Sequence, residues 1–155
     1  MQARLDPFAA APEIMQALLT FSATSKASDL EPALKGLVKV RASQINGCAY
    51  CIDMHSREAR AEGEREERLY LLDAWQESPL YTARERAALA WTEALTRIAD
   101  TRAPDEAYEA ARAAFSEKEL VELTVGIGLI NTWNRIAVGF RRLPPVKTEK
   151  ASQAA

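Results

Sequence analysis

Long apolar runs, basic blocks and abundant cysteines are all missing from this sequence of 155 residues. No stretch approaches the roughly 20 apolar residues that a membrane-spanning helix needs, and residues 1–15 contain no apolar signal-peptide core. Lysine and arginine total 20 against 22 acidic residues, whereas nucleic-acid binding usually rests on a clearly basic surface. These absences predict a cytoplasmic protein that has neither a membrane nor a nucleic acid as a partner.

Cysteine and histidine are scarce, since the chain has only Cys48, Cys51 and His55. In an intracellular protein, a lone pair of cysteines is more often reactive or metal-binding than a structural disulfide. A structural zinc site needs four ligands, and no further cysteine or histidine is present to complete the set. A reactive pair is therefore the favoured interpretation, and a metal site is not expected.

Few runs of β-branched residues and only six glycines indicate a helical chain. Prolines, the Asn46-Gly47 pair and capping boxes that begin at Thr82 and Ser116 mark the helix boundaries. The predicted helices cover residues 12 to 21 or 24, 32–45, 48–62, 65–77, 82–98, 104–115 and 117–138. The sequence thus predicts one all-α domain of about six or seven helices at 1–143, followed by a flexible C-terminal tail at 144–155.

The last predicted helix, 117–138, is apolar on nearly every side. A helix with that pattern is usually buried, and in so small a protein a contact between subunits is the easier way to bury it. The pattern therefore favours an oligomer. Asn131 and Asn134 lie on this helix and suit either the lining of a site or hydrogen bonds between subunits.

The segment from Cys48 to His55 places three reactive side chains on one helical face. Cys48 and Cys51 are three residues apart and His55 is four beyond Cys51, and such spacings make neighbours on a helix. The positive end of a helix stabilises a thiolate, which attacks a disulfide or a peroxide oxygen. The second cysteine can then close a disulfide, while an imidazole transfers the proton. The helix dipole favours Cys48 as the attacking thiol and His55 favours Cys51, so the spacing leaves both open.

With its CxxCxxxH motif, the stretch 37–55 resembles the core signature of the AhpD-like alkylhydroperoxidase and carboxymuconolactone decarboxylase superfamily. Similarity at 77–80, 85–95 and 131–135 is to the peroxidase-related branch. The resemblance implies an all-helical fold, a homotrimer or homohexamer, and no dissociable cofactor. It also implies a peroxidase in which Cys51 attacks the hydroperoxide, Cys48 resolves the product to a disulfide and His55 relays protons. A dithiol reductant, such as a lipoyl-bearing partner, would restore the thiols.

One position departs from the family pattern, because Gly36 stands where the family relay carries a glutamate. Tyr50 stands where some members have a second histidine. Glu58 and Glu93 are candidate substitutes for the lost carboxylate, although surface or helix-pair charges are the favoured interpretation of both. We therefore expect a thiol-dependent oxidoreductase for hydroperoxides or disulfides, with peroxidase activity weakened by Gly36. The alternative is a non-catalytic redox sensor or assembly module whose dithiol closes without turnover. Lactone or decarboxylase chemistry is suggested by the superfamily name alone.

Overall fold

The structure of the protein, a computed structural model, describes residues 2–145. Regular structure in these residues is entirely helical, with nine α-helices, one 3-10 helix at Leu72–Ala74 and no strand. The α-helices are α1 (Pro7–Ala10), α2 (Pro12–Lys26), α3 (Pro32–Ile45), α4 (Ala49–Ala61), α5 (Glu66–Tyr70), α6 (Ala83–Thr96), α7 (Ile98–Thr101), α8 (Asp105–Ala114) and α9 (Glu117–Gly139). The prediction of an all-α fold is confirmed.

The predicted boundaries agree with the structure except at short elements. Both capping boxes are present, with Thr82 and Ser116 as the N-cap residues of α6 and α9. The helix predicted at 65–77 is instead α5 followed by the 3-10 helix, and α1 and α7 are single turns that periodicity does not detect. Of the predicted tail, all but Pro144 and Pro145 lies outside the described residues.

Helix α3 occupies the centre of the fold, because it packs against α4, α6 and α9. Leu34 and Val38 contribute to an apolar cluster shared with α6, α8 and α9, whereas Leu37 and Val40 face a second cluster formed with α4, α6 and the 3-10 helix. The helix therefore has apolar neighbours on two sides.

Helix α9 is less completely buried than its composition predicts. Leu123 and Ile127 are in the core, but Val121 and Val138 are 62% and 47% exposed in the single chain. The homotrimer or homohexamer implied by the family resemblance stays a prediction. None of the helices within residues 2–145 combines the length and apolar character that a membrane crossing requires.

Gly36 is explained by the close approach of α3 and α4. A Cβ atom placed on Gly36 would lie 3.3 Å from the Cβ atom of Ala59 in α4. This contact is tighter than ordinary packing, so one helix would have to shift to accept a side chain. The glycine therefore has a packing role that is independent of any proton relay.

We expect Gly36→Glu to lower the free energy of unfolding by about 3 kcal/mol, because it both overpacks this contact and buries a carboxylate. Urea denaturation measures the effect. The matched control is Gly128→Glu in α9, where a Cβ atom would have no neighbour within 4 Å among the described residues. That variant should be as stable as the wild type or slightly more so, by about 0.5 kcal/mol, because glycine is a poor helix former. Equal stability of the two variants would contradict the packing role.

Candidate active site

The two cysteines lie at the sharp turn that joins α3 to α4. Asn46 caps the C-terminus of α3, and Gly47 adopts a left-handed φ of 64°, a conformation that glycine enters without strain. Cys48 is the N-cap residue of α4, and its Sγ atom accepts a hydrogen bond from the backbone N–H of Cys51 at 3.3 Å. The local sequence thus puts the Cys48 sulfur at the positive end of a helix.

The Sγ atoms of Cys48 and Cys51 lie 2.6 Å apart, and both cysteines are free. A disulfide bond has a length of about 2.05 Å, so only a small movement would be needed to join the two sulfurs. This geometry allows the pair to cycle between dithiol and disulfide without rearranging the helices.

A cavity of about 850 Å³ lies between α2, α3, α4 and α9, and we call it the cysteine cavity. Four of the predicted site residues form part of its wall: Tyr50, Cys51, His55 and Glu58. Cys48 is not among the described residues of that wall. Both cysteines are buried, 1% and 2% exposed, and Cys51 is the one of the pair that lines the cavity.

The two thiols share their protons unequally. The hydrogen bond from the Cys51 thiol is the main cause that lowers the pKa of Cys48 to about 7, helped by the Cys51 N–H and the Asn134 side chain and opposed by burial. The same hydrogen bond, burial and the charge on Cys48 raise the pKa of Cys51. At neutral pH the reduced pair is therefore partly ionised, with the negative charge centred on Cys48 and the remaining proton on Cys51.

We expect the pKa of Cys48 to rise from about 7 toward the ordinary value in the variant Cys51→Ala, because the donor responsible for most of the lowering is gone. Thiolate absorbance at 240 nm against pH measures this shift. In the wild type one thiolate should appear near pH 7, with the second absent until strongly alkaline pH. An unchanged titration in Cys51→Ala would mean that the helix N-terminus, and not Cys51, stabilises the thiolate.

His55 is buried beside Glu58. Its Nδ1 atom lies 2.8 Å from Oε2 of Glu58, and an ionised carboxylate can only accept, so Nδ1 carries the proton and Nε2 has the lone pair. Burial lowers the pKa of His55, opposed by Glu58 and reinforced by the nearby charge of Lys39. The imidazole is therefore neutral at neutral pH and is able to accept a proton at Nε2.

The other predicted residues have different surroundings. Tyr50 lies on the cavity wall with the guanidinium of Arg142 4.2 Å from the centre of its ring. Glu93 accepts hydrogen bonds from Arg41 at 2.8 Å and Trp75 at 2.7 Å, and it is not among the described residues of the cavity wall. Glu93 thus forms an ion pair between helices, which is the favoured interpretation of this residue from the sequence. The buried guanidinium of Arg41 needs a counter-charge, which accounts for a glutamate at position 93 among apolar neighbours.

A network of amide side chains connects the cysteine turn to α9. Asn46 donates to the side-chain oxygens of Asn131 at 3.0 Å and Asn134 at 2.9 Å, and Asn134 donates to Ser43 at 3.0 Å. The partners of Asn131 and Asn134 are thus in the same chain. Their only sequence signal is the presence of amides on an otherwise apolar helix, and that signal does not identify Asn46 as their partner.

A family model matches more than half of this chain, and a curated relative matches most of it. The sequence model of the carboxymuconolactone decarboxylase family matches residues 12–94. The uncharacterised protein YdfG of Bacillus subtilis is 41% identical over 140 residues, which cover 90% of this chain and 95% of YdfG.

Two solved structures resemble the fold. One is a protein of unknown function from Agrobacterium tumefaciens, suggested to be an AhpD antioxidant defence protein, with 49% sequence identity and a TM-score of 0.92. The match covers 94% of this chain and 100% of the Agrobacterium chain. The other is an uncharacterised peroxidase-related protein from Silicibacter sp., with 23% sequence identity and a TM-score of 0.79. The match covers 90% of this chain and 74% of the Silicibacter chain, and at this identity it shows a common fold alone. The predicted resemblance to the AhpD-like superfamily is confirmed.

Proposed function

Because the chain belongs to the carboxymuconolactone decarboxylase family and has an AhpD-like fold, we propose that it is a thiol-dependent oxidoreductase that reduces hydroperoxides. One observation carries this proposal: two free cysteines lie within 2.6 Å of each other, and one of them, Cys51, is on the wall of a large cavity beside His55. Nothing in this arrangement requires a dissociable cofactor, since the electrons come from the two thiols.

Cys51 is the attacking residue in the proposed reaction. Transfer of the shared proton to Cys48 leaves the negative charge on Cys51, and the Cys51 thiolate attacks the terminal oxygen of the hydroperoxide. An S–O bond forms, the O–O bond breaks, and an alkoxide leaves. Cys51 is then a sulfenic acid, oxidised by two electrons, and the hydroperoxide is reduced to the level of an alcohol.

Cys48 completes the cycle as the resolving residue. Its proton passes through Nε2 of His55 to the alkoxide, and its sulfur attacks the sulfur of the Cys51 sulfenic acid. The S–S bond forms, and the displaced hydroxide becomes water by taking up a proton from the solvent, which balances the proton that the cysteine pair released when it first ionised. An external dithiol, such as a lipoyl-bearing partner, then reduces the disulfide by thiol exchange and becomes a disulfide itself.

Glu58 and Tyr50 have supporting roles in this proposal. Glu58 accepts the hydrogen bond from Nδ1 of His55 and thereby fixes the tautomer in which Nε2 is the basic nitrogen that takes part in the reaction. Tyr50 shapes the wall next to Cys51 and holds Arg142, whose positive charge lowers the pKa of the Cys51 thiol against the larger opposing effects. The carboxylate missing at Gly36 is thus replaced by one on the opposite helix.

Hydroperoxide consumption by the fully reduced protein, supplied with excess dihydrolipoamide, tests this function. We expect continuous turnover while the reductant is present. When the reductant is omitted, the mass of the protein should fall by two hydrogen atoms as the disulfide forms. The alternative of a redox sensor predicts stoichiometric oxidation of the two thiols and then no further consumption. That second result would overturn the peroxidase and keep the redox pair.

A further inference from the structure

The cysteine cavity is far larger than a peroxide group requires. Its volume of about 850 Å³ lies in the range of pockets that enclose whole organic ligands, whereas a water-sized molecule occupies about 30 Å³. Its wall is mainly apolar and includes Leu34, Val38 and Met54 on one side and Leu129, Ile130 and Trp133 on the other. A ligand with a substantial hydrocarbon part fits such a surface.

Most of the charged groups on the cavity wall are already used by the protein. The ammonium of Lys35 donates to the backbone oxygens of Lys26 at 3.0 Å and Ser28 at 3.1 Å, where it holds the end of α2. Glu58 is bound to His55, and the carboxylate of Asp6 accepts the N–H groups of Phe8 and Ala9. These groups shape the cavity and have little capacity left for a ligand.

Lys39 is different. It lines the cavity half-buried, and within residues 2–145 its ammonium has neither a hydrogen-bond acceptor nor a carboxylate at salt-bridge distance. Burial lowers the pKa of Lys39, reinforced by the charges of Lys26 and Lys35, while the more distant carboxylates of Glu58 and Glu62 offset only part of this effect. An anion that entered the cavity would compensate the cost of burying this charge.

The position of Lys39 fixes where that anion would lie. Helices α3 and α4 pack against each other on either side of the turn that connects them, and Gly36 of α3 faces Ala59 of α4. Lys39 is about one helical turn nearer this connection than Gly36. His55 is likewise about one helical turn nearer it than Ala59, so Lys39 and His55 lie at the same level. Cys51 is one helical turn from His55, and a turn rises about 5.4 Å. Lys39 is therefore about one to two turns from the reactive sulfur along the same cavity wall.

We propose that the cysteine cavity binds a single-chain organic carboxylate, with its carboxylate group against Lys39 and its hydrocarbon chain along the apolar wall between α2, α3 and α9. Binding of the carboxylate does not depend on the proposed function. The identity of the substrate does, because a peroxidase with this cavity would act on a hydroperoxide that carries a carboxylate. Small peroxides and neutral hydroperoxides lack the group that Lys39 binds and react less efficiently.

Isothermal titration of the reduced full-length protein with decanoate and with decan-1-ol tests the binding without any thiol chemistry. We expect decanoate to bind about tenfold or more tightly than decan-1-ol, as a charge-assisted hydrogen bond provides. Lys39→Met should abolish this preference and Lys39→Arg should retain it. Arg97→Met is the matched control, because it removes one positive charge at an exposed position outside the cavity wall.

Equal binding of the two ligands to the wild type, no binding of either, or a preference that survives Lys39→Met would each overturn the inference. Turnover of a fatty-acid hydroperoxide against its methyl ester separates this inference from the proposed function. Selective decanoate binding without turnover of either hydroperoxide would reject the peroxidase and retain the carboxylate site. Equal turnover of both, without selective decanoate binding, would reject the carboxylate site and retain the peroxidase.

Discussion

Replacing Cys51 by serine is expected to lower the rate of hydroperoxide turnover by about a thousandfold or more, because it removes the only thiol on the described wall of the cysteine cavity. A serine hydroxyl at this position stays protonated and is a far weaker nucleophile toward peroxide oxygen. The assay is hydroperoxide consumption with excess dihydrolipoamide. Thermal denaturation of the variant would establish that the fold is intact.

Cys48→Ser is the matched control for this experiment. Serine is a good N-cap residue, so α4 should form normally in this variant. With dihydrolipoamide omitted, we expect it to consume about one equivalent of hydroperoxide and to hold Cys51 as a sulfenic acid, because no second cysteine is present to resolve it. Continuous turnover in Cys51→Ser, with none in Cys48→Ser, would reverse the two roles.

Asn134→Leu is expected to lower the free energy of unfolding by about 3 kcal/mol. Asn134 is 1% exposed, and its loss leaves the amide of Asn46 and the hydroxyl of Ser43 without one buried partner each. The same change should raise the pKa of Cys48, because the Asn134 side chain helps to lower it. Urea denaturation and thiolate absorbance measure the two effects.

Gln16→Leu provides the matched amide-to-leucine control. Gln16 is exposed on α2 and lies outside the described wall of the cavity, so its replacement should change stability by no more than about 0.5 kcal/mol. If Asn134→Leu were as stable as Gln16→Leu, the amide network would not be what holds the cysteine turn to α9.

Local features of the sequence were sufficient for the helices and for the start of α4. The capping boxes at Thr82 and Ser116 depend only on residues within one turn, and both predicted helix starts are confirmed. Cys48 at the N-cap and His55 on the same helix follow from spacing in the same way. Interactions that lie within a helix turn are visible in a sequence pattern.

Contacts between helices were not predictable in this way. The sequence indicates that Glu93 is a surface or helix-pair charge more readily than a site residue, but it does not identify the partner, Arg41, which lies 52 residues away in the chain. Gly36 was interpreted as a missing relay residue, and the structure shows its contact with Ala59 on α4. Lys39 carried no signal at all, because an ordinary lysine in a helix does not reveal which face meets a cavity.

The spacing of the residues leaves open which cysteine attacks the hydroperoxide, and only the family resemblance implies Cys51. The lowered pKa places the resting charge on Cys48, and the cavity wall places Cys51 in reach of a substrate. These observations are compatible because the sulfurs lie 2.6 Å apart, so one proton transfer moves the charge to Cys51. The thiol that holds the charge at rest need not be the thiol that reacts.

Trapping of the sulfenic acid tests this assignment most directly. Each single serine variant, fully reduced, is treated with one equivalent of hydroperoxide and with dimedone, and the modified peptide is identified by mass spectrometry. We predict a dimedone adduct on Cys51 in the Cys48→Ser variant and little or none on Cys48 in the Cys51→Ser variant. An adduct on Cys48, with Cys51 unmodified, would contradict Cys51 as the residue that attacks the hydroperoxide.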